Sequence, residues 1–143
     1  MKNTSIYIAI ISIALFVSSC EQRIFDELIC YNDYQVENKL DTTITIHLVT
    51  DDDRVKNVSY TIPASETQSI LLSTIIGGRS WTPANYNYIT VTYKSHIITD
   101  SLLIGNSLRD TQAYKEVSKS TYKRKPFYTL VFSIDSAYIK EHL

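Results

Sequence analysis

From Thr43 onward the chain alternates between apolar and polar positions. Thr43 to Val49 reads Thr-Ile-Thr-Ile-His-Leu-Val, with Ile44, Ile46 and Leu48 on one side and Thr43, Thr45 and His47 on the other. Successive side chains of a strand point to opposite faces, so this period of two predicts a half-buried strand. Asp51-Asp52-Asp53-Arg54 predicts a turn, and Lys56 to Ile62 alternates again with Val58, Tyr60 and Ile62 inward, which makes a hairpin of the two. Pro63-Ala64-Ser65-Glu66 turns the chain into a third strand, Thr67 to Thr74, built around Ile70 and Leu72. Ile76 to Asn85 holds two of the three Gly, one of the three Pro and the only Trp, and must be a loop. Tyr86 to Tyr93 predicts a strand with Ile89, Val91 and Tyr93 on one face and Tyr86, Tyr88, Thr90 and Thr92 on the other.

Ser95 to Ile104 continues as one or two strands after a tight turn at Lys94-Ser95. Gly105 to Lys125 is the least regular stretch and offers one helical turn around Thr111 to Val117. Phe127 to Ile134 aligns Tyr128, Leu130, Phe132 and Ile134 on one strand face, and Asp135 or Ser136 can cap a closing helical turn. Seven or so strands at this spacing predict an all-β fold, a single antiparallel β-sandwich of immunoglobulin-like or transthyretin-like type. The strand–helix–strand alternation of a parallel α/β sheet is missing.

Composition strengthens this. Residues 20–143 contain 14 Ile, 14 Thr and 7 Val but only 4 Ala. β-branched side chains fit a pleated sheet surface, and Ala is the best helix former, so a helical bundle is excluded. Hydrophobics at 44% and charges at 20% exclude a disordered chain. A net charge of −1 gives no electrostatic case for nucleic acid as a partner.

The first residues read differently. Met1-Lys2-Asn3 is followed by the apolar run Ile6 to Val17. As a helix that run is about 18 Å long, too short to cross a bilayer core. A basic start, a short apolar stretch and small residues at its exit describe a secretory signal peptide. Its exit, Val17-Ser18-Ser19-Cys20, resembles the lipobox of bacterial lipoproteins. That resemblance implies lipid on the Cys20 thiol, cleavage before it and acylation of the new amine. The expected organisation is a signal peptide over 1–19, a tether over 20–27 and the sandwich over 28–143. Acyl chains would hold the protein on a membrane almost permanently. Glu21 stands where enteric lipoproteins retained at the inner membrane carry Asp, which implies the outer membrane. Lipid on Cys20 leaves only Cys30, so no disulfide closes within the chain, and the apolar Leu28-Ile29-Cys30-Tyr31 setting predicts a buried structural thiol.

Further pieces of the chain resemble small lipoproteins of Bacteroidota, most of unknown function. They are Val36-Glu37-Asn38-Lys39-Leu40-Asp41, Ile62-Pro63-Ala64-Ser65-Glu66, Asn106-Ser107-Leu108 with Tyr114 downstream, and Phe127-Tyr128-Thr129-Leu130 ending at Ile134-Asp135 before Tyr138. The resemblance implies a fold and a secretion route and carries no catalytic motif. Glu21, Asp26 and Glu27 match that family's acidic surface-export signal only loosely, so the periplasmic and the cell-surface side both stay open.

Chemistry-bearing residues are sparse. His47, His96 and His142 are far apart in sequence, without the partners that acid–base or nucleophilic catalysis needs, and the expectation is no enzyme and no cofactor. Metal-ligand spacings such as Cys-x₂-Cys are absent, so no metal is expected; Asp51-Asp52-Asp53 reads as a solvated turn rather than a Ca²⁺ site. Lys123-Arg124-Lys125 could contact lipid headgroups or an anionic glycan, or guard the last strand from aggregation. The aromatics are the best lead to a ligand. Trp81, Tyr86 and Tyr88, with Arg79, Asn85 and Asn87 as polar neighbours, could stack on a sugar. The expected function is therefore a non-catalytic binding or assembly module, anchored in the outer membrane through lipid on Cys20. Its expected partner is another envelope protein engaged by strand addition. The alternative is a small glycan-binding lipoprotein.

Overall fold

Alternation on this scale produces sheets with one wet and one dry face, and two such sheets must bury their dry faces together. The computed structural model describes residues 29–76, 81–100 and 106–143. Among them are β1 (Cys30–Asn38), β2 (Ile44–Val49), β3 (Val58–Ile62), β4 (Thr67–Ile75), β5 (Tyr88–Tyr93), β6 (His96–Asp100), β7 (Lys115–Tyr122), β8 (Lys125–Ile134) and the short helix α1 (Ser136–His142). The expected signal peptide, the whole tether with Cys20, and Arg79 lie outside the described residues.

The strands form an all-β sandwich of two four-stranded sheets, ordered β4-β1-β8-β7 and β3-β2-β5-β6. Ile44, Ile46, Leu48, Ile62, Ile89, Val91 and Ile98 of the second sheet bury against Tyr34, Val36, Ile70, Phe132 and Ile134 of the first. Five strand pairs are antiparallel. The sixth, β1 with β8, is parallel from Tyr31↔Phe127 to Asn38↔Ile134, so the first sheet is mixed rather than purely antiparallel. Of the two types expected, the immunoglobulin order puts the first two strands side by side in one sheet. Here β1 and β2 lie in opposite sheets.

Three departures from the periodic reading have local causes. β1 carries no apolar alternation, because Asn32 and Asn38 share its inward face with Tyr34 and Val36. β7 is exposed at every position, so no alternation marks it, and only the 3-10 turn Thr111–Ala113 survives of the helical turn expected there. In β4 the register slips, since Tyr34 pairs with Leu71 but Gln35 with Ser69, and Ile70 is the extra residue of a β-bulge. Ile70 and Ser73 therefore point inward, and Leu72, expected in the core beside Ile70, is 64% exposed. Cys30, expected to be buried, is half-buried where β1 begins. The closing helix forms as expected, with the Asp135 carboxylate accepting from the Ala137 and Tyr138 N–H groups at 2.9 Å each.

Two buried polar nodes close the ends of the sandwich. Asn38, fully buried at the end of β1, donates its amide to the Thr42, Ile62 and Pro63 carbonyls at 2.9, 3.0 and 2.9 Å and accepts from the Leu40 N–H at 3.1 Å. Asp100, buried at the end of β6, accepts from the Ser107 hydroxyl, the Leu108 N–H (2.9 Å) and the Tyr138 hydroxyl (2.6 Å). The Tyr114 hydroxyl donates to the Leu108 carbonyl at 2.9 Å. Burial, reinforced by the Asp100 charge, pushes the Tyr114 and Tyr138 hydroxyls well above the ordinary tyrosine range. Both stay protonated in the fold at pH values where the unfolded chain ionises. Their contribution is whole below about pH 10 and is lost above it, at about 1.4 kcal/mol per pH unit for each hydroxyl. Urea titrations on the alkaline side should show that steep loss, and Tyr114→Phe should make it shallower by one tyrosine's share.

Candidate functional site

The aromatic lead does not assemble into a sugar platform. Pro83–Asn85 forms a 3-10 turn, held by Thr82, whose backbone N–H donates to Asn85 Oδ1 at 2.6 Å. That turn delays β5 to Tyr88, so Tyr86 is not on the outer face of a strand; it is 2% exposed, inside the core. Trp81 is half-buried against the same core, edge-on to Tyr86 with ring centres 5.9 Å apart at 88°. Burial pushes the Tyr86 hydroxyl up, and a hydrogen bond from Trp81 partly opposes it. Of the three rings only Tyr88, at 45%, stands in solvent. The two asparagines are engaged within the loops: Asn85 holds Thr82, and Asn87 exchanges hydrogen bonds with Asp51 at 2.8 and 3.0 Å.

The remaining chemistry is dispersed. His47 Nδ1 lies 2.6 Å from Ser59 Oγ, a cross-strand pair on the outer face of the second sheet. His96 is exposed at the start of β6. The His142 ring stacks on Tyr138 at 4.2 Å and is half-buried rather than a surface residue. Asp52 grips Arg54, whose guanidinium holds its carboxyl down to about 2. Among the described residues no three His, Cys, Asp or Glu gather as metal ligands. A cavity of about 180 Å³ opens between Lys39, Asn106, Lys115, Ser133 and Asp135. Small-molecule sites usually enclose about 300 Å³ or more.

The sheet edges are more informative. They are β4 and β7 in one sheet and β3 and β6 in the other. On the β6/β7 side α1 packs against β6 and β8, and the Asp100 node ties the helix to the β6 end. β7 carries Lys115 and Lys119 and a register break between Glu116 and Ser118, features that discourage pairing with another chain. On the other side β3 is a five-residue strand, and β4 runs for nine residues. No charged residue occurs from Thr67 to Gly78, and Leu72 and Ile76 are 64% and 52% exposed. Outward, Leu72 sits opposite Asp33 and Thr74 opposite Tyr31. The Asp33 carboxylate is fixed by the Ser69 hydroxyl and the Gln35 amide at 2.5 Å each, which stiffens the ladder behind the edge. Long, uncharged, β-prone edges pair readily with other strands. The uncharged run was the available sequence signal for this site, hidden by the assumption that Leu72 belongs to the core.

Searches against protein families, curated proteins and solved structures find no match to this chain.

Proposed function

We propose that the protein is a lipid-anchored envelope lipoprotein whose sandwich is a non-catalytic binding or assembly module, taking up an extended segment of another envelope protein along β4. The observation that carries this reading is the β4 edge itself, nine residues long and uncharged, with Leu72 and Ile76 outward on the side of the sandwich away from α1. In strand addition, main-chain hydrogen bonds supply affinity and alternate side chains supply selectivity. Leu72 and Thr74 are the alternate outward positions here. The anchor rests on the lipobox-like Val17-Ser18-Ser19-Cys20, and the outer membrane on Glu21 after it. A glycan-binding role gains nothing from the rings, since Tyr86 is inside the core.

Labelled palmitate should enter the wild type and not Cys20→Ala, which should leave the membrane fraction. A photo-crosslinking side chain at Thr74 should capture one envelope protein, and the same probe at Thr99 on β6 should not. Leu72→Lys should cut the Thr74 adduct about tenfold, while changing stability by less than about 0.5 kcal/mol because the site is exposed. Equal capture from Thr74 and Thr99, or capture indifferent to Leu72→Lys, would remove β4 as the binding edge.

A further inference from the structure

Because β1 and β8 run parallel, they begin at the same end of the sandwich. Tyr31 lies beside Phe127, and the β7–β8 hairpin continues past that pair through Pro126 and Lys125 to a two-residue tip, Lys123-Arg124. That is the end from which the chain leaves β1 toward Cys20, ten residues before Cys30. Ten residues span at most about 35 Å, so a lipid on Cys20 would keep this end close to the membrane.

The hairpin is built for such a surface. It carries Lys119, Lys123, Arg124 and Lys125, and no acidic residue occurs between Glu116 and Asp135, in a chain of net charge −1. Aromatic rings lie among the cations: Tyr122 meets Tyr31 edge-on at 5.2 Å and Phe127 at 6.3 Å. Lys123 Nζ lies 5.3 Å from the Tyr122 ring, and Lys119 Nζ 5.2 Å from the Tyr128 ring. Interfacial aromatics with basic side chains suit the headgroup layer of an anionic bilayer. The tip also departs from what its backbone favours. Lys123 and Arg124 have φ of 49° and 63°, the left-handed region in which a two-residue hairpin loop prefers Asn-Gly. The chain accepts that strain and places two long cations at the exposed turn.

Acidic groups at the same end sharpen the orientation. Asn38 ties the end of β1 to the end of β3, so the β2–β3 turn with Asp51, Asp52 and Asp53 lies at the tether end, in the other sheet. Asp52 is paired with Arg54, and Asp51 with Asn87. With Arg54 and Lys56 beside its three carboxylates the turn is close to neutral, so an anionic surface favours the wholly basic hairpin over it.

We infer that the β7–β8 hairpin tip docks on the anionic lipid surface to which the chain is tethered, setting the tilt of the sandwich. This rests on the lipid-anchor reading, and the test separates the two. Full-length protein, expressed in a Gram-negative host and left to that host's processing, is mixed with vesicles of phosphatidylcholine alone or with phosphatidylglycerol, and surface lysines are acetylated with a water-soluble reagent. Lys94, in the β5–β6 turn at the opposite end, is the internal reference. Failure to partition into neutral vesicles would refute the anchor. With the anchor intact, labelling of Lys119 and Lys125 relative to Lys94 should fall about tenfold on anionic vesicles and recover in high salt. Neutral vesicles should leave the ratio unchanged. The double variant Lys123→Asn with Arg124→Gly suits the turn and should melt no lower than wild type. It should nonetheless lose most of the protection, since each basic residue strengthens attachment about fivefold. Equal labelling on the two vesicles, or protection undiminished in the double variant, overturns the inference.

Discussion

Asn38→Asp should destabilise the sandwich by about 4 kcal/mol at neutral pH, with no change in side-chain volume. The wild-type amide points its N–H groups at three carbonyls from two turns, fully buried. A carboxylate there meets the same three oxygens with lone pairs and a buried charge. Leaving a buried polar group unsatisfied costs about 1–3 kcal/mol, and more for a charge. The sign of the pH dependence checks the cause. A carboxyl in that site would hold its proton more tightly folded than unfolded, so the variant should gain stability as pH falls. Urea midpoints of wild type and variant across the acid range should converge. A parallel offset at every pH would mean that packing rather than charge is responsible.

Asp100→Ala should cost about 3 kcal/mol. Its two oxygens collect three donors from β6's own turn and from α1, and Ala leaves the Leu108 N–H without an acceptor in a buried site. The Tyr138 and Ser107 hydroxyls can rotate toward one another, but a backbone N–H cannot. Combining Asp100→Ala with Tyr138→Phe should cost less than the sum of the two, by about 1–2 kcal/mol, because both delete the same hydrogen bond. Additive urea midpoints would show that Tyr138 is held by packing against Phe132 and His142 alone.

The two nodes also mark where the sequence stops being readable. β2 was legible because Ile44, Ile46 and Leu48 make an unbroken alternation. Asn32 and Asn38 break the same signal in β1, since hydrogen bonding inside the fold offsets what their polarity argues against. Leu72 was misplaced by one extra residue, Ile70, because a bulge reverses the face of everything after it. Tyr86 was misplaced by the 3-10 turn before it. The loop composition was visible, but the direction of each ring depends on where β5 starts. Strand order was beyond periodicity, because β1 and β8 recognise each other across the whole domain. The candidate edge inherits that limit: the uncharged run at Thr67 to Gly78 is plain in the sequence, but which strand ends a sheet is not.

The parallel β1–β8 ladder has a consequence for the order of events during synthesis. The earliest and latest strands described sit together in the middle of one sheet, and Ser133 reaches Glu37 across a separation of 96 residues. Contacts so distant along the chain form late and slowly. A chain emerging N-terminus first has β1 and β4 available early, but neither β8 nor the base of β7. The first sheet cannot close until residue 134 has emerged. The second sheet needs nothing beyond Asp100, so it can form while the first still waits for its central strand.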